Sequence, residues 1–203
     1  PDVHPYCSAW YGWPLMLRPI IYFYKTASSN AQPDPVLPPL PEGATQVIFD
    51  VHAMGNPALW WLSTLALMLV VAILVHRIWV WVRTRSEASV ALIEQQQLLF
   101  PPTVEMWLTL YLIVNWAANL LPWVKVTRCI FLYHYMGCSV FASLALAWWV
   151  DRWLHSPLTR LRGMGVTIIF LVVGAFIFWM PIYLGLPLSQ IEWKIRMWLP
   201  SWV

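Results

Sequence analysis

Residues 115–135, NWAANLLPWVKVTRCIFLYHY, decide the fold of this chain. They close one long apolar segment, turn through a short cationic link and open the next. Asn115, Asn119, Lys125, Arg128 and His134 all fall within them. An amide or ionisable side chain inside hydrocarbon, or at its edge, is costly, so each marks a functional candidate. Working outward, four apolar runs are expected as spanning helices, at about 58–82, 104–123, 129–150 and 163–184. At about 1.5 Å rise per residue, each can cross a hydrocarbon core of about 30 Å. Isolated spanning backbone must satisfy its own hydrogen bonds, which makes helix the reading. The expected fold class is therefore all-α integral membrane.

Composition agrees. Hydrophobic residues make up 60% of the 203, charged residues only 10%, and there are 16 tryptophans. Soluble domains carry about 25% charged residues. A net charge of +3 is too small to point to nucleic acid. No glycine-rich phosphate loop, zinc spacing or Ser/His/Asp arrangement is visible. Trp60, Trp61, Trp79, Trp81, Trp107, Trp123, Trp148, Trp149 and Trp179 fall near the ends of the expected helices, as two interfacial belts would require.

Basic residues give an orientation. Arg77, Arg83, Arg85, Arg152, Arg160 and Arg162 gather on one side, against Lys125, Arg128, Lys194 and Arg196 on the other. The first set is expected to be cytoplasmic, which puts the 123–128 turn on the outer face. Residues 1–57 then form an aromatic, proline-rich outer loop, extended in its polyproline stretch, and ATQVIFDVHA is expected as a short strand. Residues 185–203 form an amphipathic outer-face tail, and SEASVALIEQQQLLFPP an interfacial helix on the cytoplasmic side. The chain begins with Pro1, so it is expected to be part of a longer or processed protein.

Candidate chemistry is weighed against packing. Arg128 precedes apolar Cys129-Ile130-Phe131 and suits a lipid phosphate, because a guanidinium donates paired hydrogen bonds to phosphate oxygens. Lys125 reads first as a snorkelling anchor. His134 reads on composition as a hydrogen-bonded packing residue, and Asn115 with Asn119 as partners in interhelical hydrogen bonds. Cys7, Cys129 and Cys138 lack metal spacing; free thiols are favoured, with a Cys7–Cys129 disulfide conceivable on an oxidising face. His76, His134 and His155 do not share one face, which disfavours haem.

Several stretches resemble one family. HPYCSAWYGWPLMLRPIIYFY, MGNPALWW, NLLPWVKVTRCIFLYHY and WKIRMWLPSWV, in this order, are similar to the C-terminal four-helix region of bacterial-type protein O-mannosyltransferases. The resemblance implies part of a GT-C-type membrane glycosyltransferase. Such enzymes pass mannose, with inversion, from a polyprenyl-phosphate carrier to Ser or Thr hydroxyls of acceptor proteins. It implies a bacterial plasma-membrane setting with the site outward, no cofactor, and an N-terminal half that carries the catalytic carboxylate. None of Asp2, Asp34, Asp50 or Glu192 matches that carboxylate, so no catalytic residue is assigned here.

By resemblance, Arg128, His134, Tyr135 and Lys125 are candidates for the lipid phosphate and sugar, with Arg18, Trp13, Asn56, Asn115 and Asn119 in support. The family pattern places a proline soon after the HY pair, where this chain has Met136-Gly137-Cys138, which affects the bend of the third helix. Two other readings stay open. One is a related lipid-linked-sugar transferase with another donor or acceptor; the other is a non-catalytic four-helix membrane module.

Overall fold

The computed structural model describes residues 4–28, 46–87 and 104–203. Most of the polyproline stretch and nearly all of the expected interfacial helix on the cytoplasmic side lie outside the described residues. A 3-10 turn over Trp10–Leu15 leads into strand β1, Ile20–Ser28. Strand β2, Gln46–Ala53, pairs with β1 antiparallel, with a register shift between Ile21 and Phe23. Helices follow: α1 Pro57–Glu87, α2 Val104–Leu120, α3 Met136–Leu154, α4 Thr159–Leu184 and the short α5 Gln190–Lys194.

Among the described residues, three helical stretches are long and apolar enough to cross a membrane: Pro57–Arg83, Val104–Lys125 and Thr159–Leu184. The third of these is α4; α3, of 19 residues, packs among them and carries Asp151 and Arg152 in its last turn. Two clusters form the interior. Leu67, Val70, Leu112, Ala142, Ala145 and Leu146 join α1, α2 and α3 midway. Trp13, Leu132, Tyr135, Trp179, Ile182 and Trp202 close one end of the bundle. Small residues on α3 (Ala142, Ala145) let the helices approach closely, as packing without a hydrophobic driving force requires.

The expected outer loop contains a strand that the sequence reading did not name. Tyr22 and Tyr24 read as interfacial aromatics, yet aromatic residues also suit a pleated surface, and both sit exposed on β1 beside exposed Phe23. β2 is buried along Val47–Asp50, because its far side meets the tail: Ile48 and Leu188 exchange backbone hydrogen bonds at 2.7 and 3.0 Å.

The third helix begins later than expected. Cys129–Phe131 is outside any helix, Leu132–Tyr135 is a 3-10 turn, and α3 starts at Met136. Cys129 is in fact bonded to Cys7, which corrects the expectation of free thiols. The Ile130 carbonyl accepts Ser8 N–H at 2.8 Å, so this backbone pairs with the N-terminal segment and cannot begin a helix. Cys138 alone is a free, buried thiol among the described residues.

Candidate functional site

At the end of the bundle that carries the disulfide, the segment Trp13–Leu17 is held almost entirely by side chains from elsewhere. Trp60 Nε1 donates to the Trp13 carbonyl at 2.8 Å, and Thr64 Oγ1 to that of Pro14 at 2.9 Å. Trp61 Nε1 donates to the Leu15 carbonyl and Trp202 Nε1 to that of Met16, each at 2.8 Å. Ser201 Oγ donates to the Leu17 carbonyl. Five consecutive carbonyls thus accept from side chains, and that of Trp13 also accepts Met16 N–H at 2.9 Å at the end of the 3-10 turn. Trp13 itself is fully buried, and its Nε1 donates to Ser8 Oγ at 2.8 Å.

His134 stands against this segment. Its ring lies 4.2 Å from Trp123 in an edge contact and 4.5 Å from Tyr133 in a stacked one. Trp13 stacks more distantly, at 5.9 Å and 13°. Nδ1 is 3.1 Å from Phe131 N and 2.9 Å from the Phe131 carbonyl oxygen. That oxygen already accepts the His134 backbone N–H at 3.1 Å. We therefore assign Nδ1 as acceptor of the Phe131 N–H, which leaves the ring proton on Nε2. Tyr135 is buried; its hydroxyl accepts Trp116 Nε1 at 3.0 Å, and its ring tilts against Trp60 at 5.3 Å.

The cations are arranged differently. Lys125 ends the 3-10 turn Leu121–Lys125, and Arg128 follows two residues before Ile130. Both are exposed, as is Arg18 after the Trp13–Leu17 segment. Among the described residues none of these three side chains makes a hydrogen bond or ion pair. Each keeps its full donor capacity for a ligand. The fold brings Trp13, His134 and Tyr135 into one cluster, while no hydrogen bond or ion pair joins Arg128 to His134.

The asparagines depart from expectation. Asn115 Nδ2 donates to the Tyr111 carbonyl and Asn119 Nδ2 to that of Asn115, both at 2.8 Å, within their own helix. Residues four apart on a helix offer that carbonyl directly, so no second helix is needed. Asn119 nevertheless meets α3, because an ideal Cβ at Gly137 would lie 2.6 Å from its Oδ1. The Met136-Gly137-Cys138 departure therefore permits a close approach of α2 and α3. Asn56 is structural: Oδ1 accepts Leu59 N–H at 3.2 Å, capping α1, and Nδ2 donates to the Val172 carbonyl of α4 at 2.8 Å.

Sequence reading also missed a buried Asp–His pair. Asp50 is fully buried and His52 nearly so. His52 Nδ1 is 2.7 Å from Asp50 Oδ1, an ion-pair distance without the alignment of an ordinary hydrogen bond. Trp193 Nε1 donates to Asp50 Oδ2 at 2.5 Å, and His52 Nε2 lies 2.9 Å from the Trp202 carbonyl oxygen. The weak alternation of β2 was its only signal, since the partners stand 143 and 150 residues further on. Glu192 likewise serves the fold: it accepts Ser189 N–H at 2.8 Å, while Ser189 Oγ accepts Glu192 N–H at 3.3 Å. This capping box holds the Glu192 carboxyl below its ordinary range. Asp50 is thus enclosed in the fold, and Glu192 Oε2 is engaged in its cap.

Comparison with known proteins places this geometry. A family described as the C-terminal four TMM region of protein-O-mannosyltransferase matches residues 1–202. The polyprenol-phosphate-mannose–protein mannosyltransferase of Mycolicibacterium smegmatis is 27% identical over 98% of this chain and 33% of its own length. The protein of the same name from Mycobacterium tuberculosis is 24% identical over 99% of this chain and, again, 33% of itself. The chain thus spans about a third of the length of these curated relatives. A chain of the solved Saccharomyces cerevisiae protein O-mannosyltransferase Pmt1-Pmt2 complex bound to the sugar donor shares the fold, with TM-score 0.64 and 21% identity. The match covers all of this chain and 24% of that one.

Proposed function

Since this chain belongs to the family of the C-terminal four-transmembrane region of protein O-mannosyltransferases, we propose that it forms the lipid-carrier side of such an enzyme. The enzyme moves mannose from a polyprenyl-phosphate carrier to Ser or Thr hydroxyls of acceptor proteins. α1 to α4 are its four spans, in a bacterial plasma membrane. The Trp13, His134 and Arg128 end faces outward, where an oxidising compartment sustains the Cys7–Cys129 bond.

In the transfer, the acceptor oxygen bonds to the mannose anomeric carbon as the bond to the phosphate oxygen breaks. The hydroxyl proton passes to a carboxylate of the N-terminal half, and polyprenyl phosphate departs. Charge grows on that phosphate, and Arg128 offers its guanidinium to it. Lys125 adds a second positive charge on the same link, and the His134–Tyr135 cluster walls the sugar side. The observation that carries this reading is an exposed guanidinium with no partner of its own, beside a packed aromatic cluster.

The test is Arg128→Ala in the complete native polypeptide, assayed with polyprenyl-phosphate mannose and a Ser/Thr peptide. We expect turnover to fall about 100-fold or more, the scale of losing one transition-state charge donor, while the protein extracts and unfolds like the parent. Near-normal turnover would sink the phosphate role. A panel of carriers bearing other sugars reports donor choice.

A further inference from the structure

Arg128 sits on a link that the fold scarcely holds. Among the described residues, Thr127 and Arg128 make no hydrogen bond. The link leaves the 3-10 turn at Val126, whose N–H reaches the Trp123 carbonyl at 3.2 Å. It is next fixed at Cys129, by the covalent bond to Cys7, and at Ile130, whose carbonyl accepts Ser8 N–H at 2.8 Å.

The other side of that bond is firmly seated. Ser8 Oγ accepts the indole N–H of fully buried Trp13, and Trp13 passes the load to α1 through Trp60. A continuous path therefore runs from the α1 core to the residue next to Arg128: Trp60, Trp13, Ser8, Cys7, Cys129.

From this path we infer that the Cys7–Cys129 disulfide is a positioning element for Arg128, holding its guanidinium where the carrier phosphate of the lipid donor must lie. The inference rests on the phosphate role given to Arg128 above. Paired hydrogen bonds from a guanidinium to a phosphate demand a fixed backbone, and misplacement by about 1 Å is enough to cost rate. The bond between sequence positions 122 residues apart supplies that fixity where hydrogen bonds do not.

A disulfide that only stabilised the fold would behave differently, so the test is a double-mutant cycle in the complete native polypeptide. Cys7→Ser is made alone and in an Arg128→Ala background, and kcat/KM for polyprenyl-phosphate mannose is measured in each. We expect C7S alone to lower donor kcat/KM about tenfold, with the acceptor KM unmoved, and to lower it less than about twofold once Arg128 is gone. Equal losses in both backgrounds, or no loss from C7S alone, overturn the positioning role while leaving the phosphate role standing. Normal activity of R128A overturns the phosphate role and this inference with it.

If C7S does not fold, the parent is reduced after folding. Dithiothreitol breaks the S–S bond, leaving two thiols and its own ring disulfide, and the same kinetic comparison is made between parent and R128A. The same two outcomes then decide.

Discussion

Asn119 Oδ1 occupies the space in which a side chain at Gly137 would begin, 2.6 Å from an ideal Cβ there. Gly137 lies in the first turn of α3, where alanine would ordinarily gain up to about 1 kcal/mol of helix propensity. To admit it, Asn119 must swing away from its 2.8 Å bond to the Asn115 carbonyl, which costs about 1 kcal/mol. The two effects offset. Gly137→Ala is expected to leave thermal stability in detergent nearly unchanged. In an Asn119→Ala background the same change should stabilise by about 1 kcal/mol. Equal effects in both backgrounds would show that the contact is absent.

Thr64 holds a carbonyl that has no other donor among the described residues, that of Pro14. Thr64→Val keeps the side-chain shape and removes the hydroxyl. It should destabilise by about 1 kcal/mol, the net worth of one part-buried hydrogen bond. Unfolding followed by tryptophan fluorescence is the measurement, because Trp13 and Trp60 flank the site.

Asp50 and His52 form a buried pair, with Trp193 Nε1 donating to Asp50 Oδ2 and His52 Nε2 2.9 Å from the Trp202 carbonyl oxygen. Removing either side chain leaves buried polar groups short of a partner, so Asp50→Ala and His52→Ala should each cost about 1–3 kcal/mol. The double mutant should cost less than their sum, since the Asp50–His52 contact is then lost only once. Additive losses would mean that the two side chains do not interact.

Glu192 gives a pH dependence with a definite sign. Its folded carboxyl is held below the unfolded value of 4.5 by the Ser189 backbone N–H and then the Ser189 hydroxyl. Above pH 4.5 both states are ionised and the cap contributes in full; as pH falls through the folded value that contribution is lost. Glu192→Gln should therefore flatten the acid limb of the stability profile below that point. An unchanged acid limb in E192Q would assign the acid sensitivity to other groups.

The helices were legible because their signal is local. Unbroken apolar runs define α1, α2 and α4, and the structure moves their ends by a turn or so, to Glu87 in α1 and back to Thr159 in α4. The link at 126–131 was not legible, since apolar Ile130 and Phe131 read as helix while a cysteine 122 residues away holds them extended. Asp50 and His52 were hidden for the same reason: their partners lie at the far end of the chain. Of the site, the sequence singled out the aromatic cluster and the cations, yet no local pattern reveals that Trp13 is clamped by Trp60 or that Asn119 faces Gly137.

The clamp on Trp13–Leu17 also sets an order in time. Trp202 and Ser201 supply the donors for Met16 and Leu17, and Trp202 stands 186 residues after Met16. At about 5–20 residues per second, the ribosome adds the last of these donors on the order of 10–40 s after the carbonyls they satisfy. Through that interval the Met16 and Leu17 carbonyls lack their eventual partners, and β2 lacks the Trp193 and Trp202 groups that enclose Asp50 and His52. The outermost layer of this bundle is thus finished only once residues 193–202 have been made. A chain without Ser201 and Trp202 would keep all its long helices and lose the donors that close this end.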